Sequence, residues 1–259
     1  AMVSTIENDP NLVLESVTSP TVWALRYNTR DGITADERVR KAMIMAVDRE
    51  MIVNEILGGQ AEVIATFQSK LSFGYDPEEK PLPYDPEEAK ALLAEAGVQP
   101  GATVQIDVRG NDATFGEVAQ AVAAYLSTVG INATIQPIEL NTMLNDIIPQ
   151  GKTGAMFQQG WGGWTFDYDN TAYAMYHTGE KWNPYDSDEK LDALLESQRP
   201  LTDRAERERI LKEIANYAAD RALEMPLYNS KALYGVNKRV KNFDPAPDNR
   251  LRLNAVEVE

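Results

Sequence analysis

A strand–helix–strand pattern between residues 104 and 135 constrains the fold of this chain more than any other feature. Apolar residues alternate with polar ones at Val104, Ile106 and Val108, and again over residues 131–135, as in strands with one buried face. Residues 114–129 separate these runs and carry apolar residues at helical spacing. Two strands joined by a helix favour parallel pairing with a right-handed crossover. The pattern therefore predicts an α/β protein.

Five sequence signals predict where helices begin, because each places a side-chain acceptor before a run of apolar residues at helical spacing. The strongest is Asp85 followed by Pro86, a carboxylate at the N-cap with proline at the first helical position. Capped helices alternating with strands are expected to supply a core of their own, so the chain is expected to fold alone. The predicted N-caps are Thr34, Asp85, Thr114, Asp186 and Asp203.

The remaining segments are less regular. Residues 12–28 are expected to be extended with a break at Pro20, and residues 225–229 and 232–236 to form two short strands. Prolines and a lack of periodicity predict a long loop over residues 60–84. No helix is predicted in the aromatic and glycine-rich stretch that follows residue 160.

The charge of the chain limits its partners. The 259 residues include 40 acidic and 25 basic side chains, which gives a formal net charge of -15. Nucleic acids and anionic membranes require a basic face, so neither is an expected partner. No apolar run approaches the ~18 residues needed to span a bilayer, so stable membrane insertion is not expected. Residues 1–5 lack the basic and apolar regions of a signal peptide.

The available residue types limit the chemistry. The chain has no cysteine and a single histidine, His177. Disulfides, thiolate catalysis and zinc sites built from histidine pairs are therefore excluded. No metal or cofactor is expected, and His177 is assigned a surface or packing role. Gly151-Lys152-Thr153 resembles the end of a phosphate-binding loop, but Asp146 stands where that motif requires glycine.

The most informative segment for function is residues 160–169, with the sequence GWGGWTFDYD. Trp161 and Trp164 offer large, rigid aromatic surfaces, and the glycines beside them allow close approach of a ligand or a neighbouring strand. A carboxylate shielded from water beside them, at Asp167 or Asp169, would hold an ammonium or guanidinium group. The alternative is a structural role for this segment, at a corner of the core, in which Trp161 is buried and Asp167 caps a local turn.

Several short segments stand in an order that is characteristic of one family. They are LRYNT at 25–29, RVRKAM at 38–43, AVDR at 46–49, YDPEEAKALLAEAG at 84–97, GI at 130–131, GW at 160–161, LDAL at 191–194 and MPLY at 225–228. Through this ordered set, the chain from about Leu25 to Glu259 resembles the extracellular solute-binding proteins of family 5, the peptide- and nickel-binding group that serves ABC importers.

The resemblance implies a periplasmic-binding-protein-like (type II) lobe, in which helices flank a mixed sheet. The family's chains are roughly twice as long, so the resemblance also implies the C-terminal half of a two-lobed protein, without its signal peptide and first lobe. Residues 1–27 would form a crossover or hinge segment, residues 28–229 the second ligand-binding lobe, and residues 230–259 the return toward the first lobe. The full-length protein would be a periplasmic monomer that delivers a peptide or another small polar solute to ABC permease subunits.

The resemblance also implies a set of ligand-binding residues: Trp161, Trp164, Asp167, Tyr168 and Asp169. In peptide-binding members of the family, an Asp a few residues after a Gly-Trp pair holds the α-ammonium group of the ligand. Asp167 matches this place and Tyr168 follows it. Asp169 remains an alternative, because the spacing here is a few residues longer than usual. Trp161 occupies the family position next to the cleft, whereas Trp164 lies in the added stretch, to which no family role carries over.

Three functions are compatible with these residues. The leading interpretation is a binding protein without enzymatic activity, because the sequence lacks nucleophile, base and metal motifs. The alternative is a hydrolase that uses Asp167 and Asp169 as an acid/base pair, since on one strand they would face the same side with Cα atoms ~6.5 Å apart. A sensor or chaperone module is the third.

With one lobe alone, a binding protein should hold its solute weakly, because one face of the ligand stays in water.

Overall fold

A mixed sheet of six strands forms the frame of the protein. The computed structural model describes residues 2–259. The strands are β1 (Leu12–Tyr27), β2 (Ala61–Val63), β3 (Ala102–Arg109), β4 (Ile131–Ile138), β5 (Met156–Trp161) and β6 (Glu224–Asn237). They pair in the order β2-β6-β1-β5-β3-β4. β3 is parallel to β4 and β5, which confirms the parallel pairing predicted from the sequence, and the other neighbours are antiparallel. A separate antiparallel pair joins β7 (Val240–Lys241) to β8 (Glu257–Val258).

The two long strands, β1 and β6, are more continuous than predicted. The predicted break at Pro20 is wrong, because β1 continues through it while its register against β6 shifts between Thr18 and Val22. Proline has no backbone N–H to donate, and it falls here in an irregular stretch that needs no regular donor. β6 is likewise unbroken, so the two short strands predicted after residue 224 are one.

Helices cover both faces of the sheet. They are α1 (Met2–Glu7), α2 (Glu37–Met45), α3 (Arg49–Met51), α4 (Pro86–Glu95), α5 (Ala113–Thr128), α6 (Leu140–Thr142), α7 (Asp169–Tyr176), α8 (Glu189–Gln198) and α9 (Arg204–Asp220). A 3-10 turn, Ile33–Ala35, precedes α2, and π-helical turns at Ile52–Ile56 and Met143–Ile147 extend α3 and α6. α7 lies in the stretch for which no helix was predicted.

Aspartates are the N-caps of the main helices, although they are not always the residues that the sequence predicted. Asp85 and Asp203 cap α4 and α9 as predicted, and each accepts a hydrogen bond from the backbone N–H three residues further on, at 3.0 and 3.1 Å. The predictions of Thr34, Thr114 and Asp186 as N-caps are wrong. α2, α5 and α8 begin instead after Asp36, Asp112 and Asp188, whose carboxylates accept backbone N–H groups of the first turn.

Tertiary contacts and intrinsic preference explain these differences. Aspartate is a better N-cap than threonine, so a nearby aspartate takes the position from each predicted threonine. The Thr34 hydroxyl donates instead to the carbonyl of Asn28 at 2.7 Å. Arg221 pairs with both Asp186 and Asp188, at 3.1 and 2.6 Å, and Asp188 is the one whose carboxylate also accepts the backbone N–H three residues further on and caps α8.

The sheet separates the two larger hydrophobic cores, and alternate residues of β1 contribute to each. Leu25 and Tyr27 pack with α2, α4 and α5, whereas Val22 and Ala24 pack with α7, α8 and α9. All four are at most 2% exposed. With both faces covered by helices, the ends of the strands are the part of the sheet that can meet a ligand.

Candidate functional site

The ends of three parallel strands define one edge of the sheet, which we call the carboxyl edge. β3, β4 and β5 end there at Arg109, Ile138 and Trp161. Val22 of β1 pairs with Trp161, so the earlier residues of β1 continue past this edge together with the second half of β6. Ligands of open α/β sheets bind outside the carboxyl ends of the strands. Side chains at this edge are therefore the first candidates for ligand contact.

The predicted site residues do not all lie on the same side of this edge. Trp161 faces the layer of α7 to α9, where its indole N–H donates to Asn170 at 3.2 Å and its ring centroid lies 6.3 Å from that of Trp182. Trp164 lies in the following loop and is 61% exposed. Tyr168 is fully buried in the core, so the prediction that it contacts the ligand does not fit the structure.

Asp167 is held by an arginine from α9. Arg207 donates to both carboxylate oxygens of Asp167, at 2.6 and 2.9 Å, which is the geometry of a bidentate ion pair. The hydrogen bond to Asp167 raises the pKa of Arg207, although burial opposes it. Asp167 also accepts the backbone N–H of Asp169 at 3.0 Å. The charge of Asp167 is therefore already compensated within the protein.

Asp169 has an arginine of its own. Its carboxylate accepts hydrogen bonds from Arg199 at 3.0 and 3.2 Å, and this bond raises the pKa of Arg199. The central guanidinium carbon of Arg199 also lies 3.4 Å from the ring centroid of Tyr173. The structure thus brings Trp161, Asp167 and Asp169 together, along a groove of about 500 Å³ on the α7 side of the molecule.

This arrangement does not favour an acid/base pair. The hydrolase interpretation placed Asp167 and Asp169 on one strand, but Asp169 is the first residue of α7 and Asp167 lies in the loop before it. General acid–base work requires a group that can exchange a proton with the substrate. Two carboxylates, each bound to its own arginine, suit a structural role in fixing the start of α7.

A cation that the sequence analysis did not single out lies at the carboxyl edge. Arg109 ends β3, and its guanidinium lies over the ring of Trp23, 5.3 Å from the centroid and within cation–π range. The Nε atom is buried without a hydrogen-bond partner, and across residues 2–259 the guanidinium forms no hydrogen bond or ion pair. Burial lowers the pKa of Arg109, and the charge of Asp112 partly offsets this effect. A partly buried guanidinium without a partner is suited to receive a carboxylate.

A buried glutamine fixes the backbone around this cation. Gln158 of β5 accepts the backbone N–H of Arg109 at 2.8 Å and donates to the carboxylate of Asp112 at 2.8 Å. Asp112 also accepts the backbone N–H of Phe115 and so caps α5. The base of the Arg109 side chain is therefore held in place while its charged end stays unbonded.

Aromatic rings surround Trp23. Its ring centroid lies 5.7 Å from that of Phe115 and 6.5 Å from that of Tyr228. The backbone of Gly160 packs directly against the indole of Trp23, so closely that a Cβ atom at this position would come within 2.7 Å of the ring. A hollow of about 430 Å³ opens beside Trp23 and Tyr228. Asp112 and Ser230 also line this hollow, whereas Arg109 does not, so the hollow lies beside the cation rather than around it.

Local sequence signals for these two residues are weak. Arg109 is the polar residue that ends the alternating run at Val108, just before Gly110 and a capped helix. That position at the end of a strand is the one signal that could have found it. Trp23 sits opposite Gly160 through a pairing between distant parts of the chain, which no local pattern encodes.

The fold and this edge together define a class of protein. A mixed sheet covered by helices on both faces, with two long strands that lead away past its carboxyl edge, has the architecture of a periplasmic-binding-protein-like lobe. In the part of the chain that the structure describes, no helix has both the length and the apolar character required to cross a membrane.

The chain belongs to the bacterial extracellular solute-binding proteins of family 5. The family model described as "Bacterial extracellular solute-binding proteins, family 5 Middle" matches residues 1–183, well over half of the chain. This match confirms the family resemblance that the ordered segments indicated.

Curated relatives are similar to the chain over nearly its whole length. The di/tripeptide-binding protein 2 of Pseudomonas aeruginosa (strain UCBPP-PA14) is 27% identical over 271 aligned residues, which cover 99% of this chain and 49% of the relative. The glutathione-binding protein GsiB of Escherichia coli (strain K12) is 26% identical over 251 residues, which cover 93% of this chain and 49% of the relative. The chain spans about half the length of the curated relatives it matches.

Solved structures share the fold. HbpA2 from Haemophilus parasuis superposes with a TM-score of 0.88 at 23% identity, over 99% of this chain and 52% of that structure. NikA from Brucella suis in complex with Fe(III)-EDTA gives a TM-score of 0.89 at 21% identity, over 100% of this chain and 55% of that structure. These likenesses concern the fold, and they confirm the predicted type II lobe with a mixed sheet.

Proposed function

We propose that this chain is the ligand-binding lobe of an ABC-importer solute-binding protein, and that the solute contacts the carboxyl edge at Arg109 and Trp23. The observation that carries the proposal is the guanidinium of Arg109, which lies on an aromatic ring at the strand ends without a partner in residues 2–259. A carboxylate of the solute would form a charge-assisted pair with it. The relatives named for di- and tripeptides and for glutathione support this chemistry, because all of these ligands carry carboxylates.

The outer halves of the two long strands suit a hinge. Residues 12–18 of β1 and 231–237 of β6 pair with each other beyond the carboxyl edge and are mostly half-buried or exposed, whereas the inner halves of both strands are mostly buried. In this proposal residues 1–27 and 230–259 connect the lobe to a second one, and residues 28–229 form the ligand-binding lobe. Closure of the two lobes around a solute is the hinge motion of periplasmic receptors.

The proposed protein works in the periplasm, as a monomer when both lobes are present, and hands its solute to the permease subunits without catalysing a reaction. The relatives support this, since they are named as binding proteins rather than as enzymes. This lobe supplies one wall of the cleft, so the chain by itself should bind the solute weakly. If two walls give micromolar affinity, ~8 kcal/mol, then half of that interaction leaves ~4 kcal/mol, which corresponds to millimolar binding.

Replacement of Arg109 tests the proposal on this chain, with glutathione and triglycine as probes and NMR titration as the measurement. A hydrogen bond to a charged group contributes about 1.5–3 kcal/mol, so Arg109→Gln should weaken binding roughly 10- to 100-fold. Arg199→Gln is the matched control, because it removes the same charge from the groove beside Asp169. If Arg199→Gln abolishes binding and Arg109→Gln does not, the solute lies in that other groove and the proposal is wrong.

A further inference from the structure

The hollow beside Trp23 offers a second point of contact to the solute, on the basis of the function proposed above. We propose that this hollow is a cation subsite, in which Asp112, Trp23 and Tyr228 hold an ammonium or guanidinium group of the solute. The solute then carries a cationic group as well as the carboxylate that pairs with Arg109. Three features carry the inference: a carboxylate without a cationic partner, two aromatic rings that line the same hollow, and a buried hydroxyl without a hydrogen bond.

Asp112 keeps its negative charge available to a ligand. Its carboxylate accepts the backbone N–H of Phe115 at 3.0 Å and the side-chain amide of Gln158 at 2.8 Å, and both of these donors are neutral. In the part of the chain that the structure describes, no cationic side chain forms an ion pair with it. A carboxylate offers about four acceptor positions, so these two hydrogen bonds leave room for a ligand. Asp167 and Asp169 differ in this respect, because arginines compensate their charges.

Aromatic rings and apolar side chains form the walls around Asp112. The rings of Trp23 and Tyr228, whose centroids lie 6.5 Å apart, line the hollow together with this carboxylate. Ile56 and Leu57 line it as well. The faces of aromatic rings attract cations, most strongly where water is displaced. Apolar walls lower the local dielectric constant, which strengthens the attraction between a carboxylate and a cation. A cation in the hollow is therefore attracted by the rings and by Asp112 together.

The hydroxyl of Tyr228 is a further polar group of the hollow. Tyr228 is 6% exposed, and its hydroxyl forms no hydrogen bond with any other residue that the structure describes. Burial raises the pKa of Tyr228, and the charge of Asp112 raises it further, so the hydroxyl stays protonated and neutral. A buried hydroxyl without a partner costs free energy unless a ligand or a water molecule completes it. A bound ammonium group can donate a hydrogen bond to its oxygen.

The cation subsite and Arg109 are adjacent, so one molecule can contact both. The guanidinium of Arg109 lies over the ring of Trp23, and the same ring lines the hollow. Gln158 links the two charged residues, since it accepts the backbone N–H of Arg109 and donates to Asp112, each at 2.8 Å. A solute that carries a carboxylate and an ammonium group can therefore meet Arg109 and Asp112 at once.

A matched pair of probes tests the cation subsite. Triglycine and N-acetyl-triglycine carry the same carboxylate, and they differ in the ammonium group at the amino end. By NMR titration of this chain we expect triglycine to bind roughly tenfold more tightly, the size of one charge-assisted hydrogen bond. Arg109→Gln should weaken the binding of both probes, because both carry the carboxylate.

Two substitutions remove the polar groups of the subsite one at a time. Asp112→Asn removes the charge and keeps an N-cap of similar strength for α5, so the preference for triglycine should disappear. Because this preference is a ratio measured within each variant, a shift of Arg109 affects both probes alike. Tyr228→Phe breaks no hydrogen bond among the described residues, and we expect it to reduce the preference several-fold.

Glu139→Gln is the matched control for Asp112→Asn. Glu139 accepts two backbone N–H groups at the start of α6 but does not line the hollow, so its variant should keep the full preference for triglycine. A thermal melt establishes that each variant is folded, and Tyr228→Phe alone decides the matter if Asp112→Asn is not.

The outcomes separate the cation subsite from the function on which it rests. Equal binding of the two probes by the wild type, with both weakened by Arg109→Gln, would overturn the subsite and leave the proposed function in place. A preference for triglycine that survives in both Asp112→Asn and Tyr228→Phe would overturn it as well. So would a loss of preference that is as large in Glu139→Gln, because the effect would then come from the net charge. If Arg109→Gln changes the affinity of neither probe, the proposed function itself fails.

Discussion

At the scale of single residues, the partners of a charge decide what it can do. Arg207 and Arg109 carry the same guanidinium, but Arg207 binds Asp167 with two hydrogen bonds, whereas the guanidinium of Arg109 lies over the ring of Trp23 and forms no hydrogen bond or ion pair within residues 2–259. A compensated charge stabilises the fold, whereas one without a partner can meet a ligand. The sequence could not distinguish these roles, because Asp167 and Arg207 are 40 residues apart along the chain.

Asp167→Asn should therefore change stability rather than solute affinity. The substitution keeps the shape of the side chain and removes the charge that faces Arg207. Because the two side chains are 20% and 30% exposed, we expect the free energy of unfolding to fall by about 1 kcal/mol. Urea denaturation measures this change, and glutathione titration of the same variant should match the wild type. Arg207→Gln should cost a similar amount, and the two effects should not add in the double variant. Weaker binding with unaltered stability would contradict this.

At the scale of elements, local signals predicted most helices and strands but fewer of their ends. Asp85 and Asp203 were identified correctly because their N-cap chemistry is contained within four residues. Asp186 was not, because the N-cap of α8 lies two residues later at Asp188, and Arg221 pairs with both carboxylates. α7 was missed, since its eight residues give too short a pattern, although Met175 and Tyr176 are fully buried. Local sequence patterns also fail to predict the candidate site, because its residues come from the ends of different elements.

The packing of α7 against α8 should depend on pH through His177. Its Nε2 lies 3.1 Å from a carboxylate oxygen of Glu196, and its Nδ1 lies 2.9 Å from the carbonyl oxygen of Thr178. Both ring nitrogens face acceptors, so the protonated ring can satisfy both. Burial alone would lower the pKa of His177, but these two acceptors and the charge of Asp192 raise it above its ordinary value.

A raised pKa in the folded state fixes the direction of the effect. The stabilisation should be complete below the unfolded pKa of about 6.5 and should be lost as the pH rises through the folded pKa. Because Glu196 is 65% exposed, we expect the free energy of unfolding to change by less than about 1 kcal/mol. Urea denaturation from pH 5.5 to 8.5 measures it, and His177→Gln should flatten the profile. If the variant keeps the slope of the wild type, another group is responsible.

At the scale of the whole molecule, the two long strands join the packed lobe to the part that extends beyond it. Their inner halves lie between the two cores, whereas the helix that packs on their outer halves is the short α1, whose Ile6 lies against Gly235. The family order of short segments predicted the lobe and its fold. It could not show that the strands extend past the site, because this depends on the pairing of Val22 with Trp161.

Amide hydrogen exchange should therefore divide each long strand into two parts. Local opening needs less free energy where few buried contacts are lost, so residues 12–18 and 231–237 should exchange faster than residues 22–27 and 224–229. We expect a difference of at least about tenfold, which corresponds to ~1.4 kcal/mol in opening free energy. Exchange followed by mass spectrometry on this chain measures both parts of each strand in one experiment, with the buried strand β3 as the internal reference. Equal protection along β1 and β6 would contradict the hinge, because a segment that opens only with the whole lobe cannot bend independently of it.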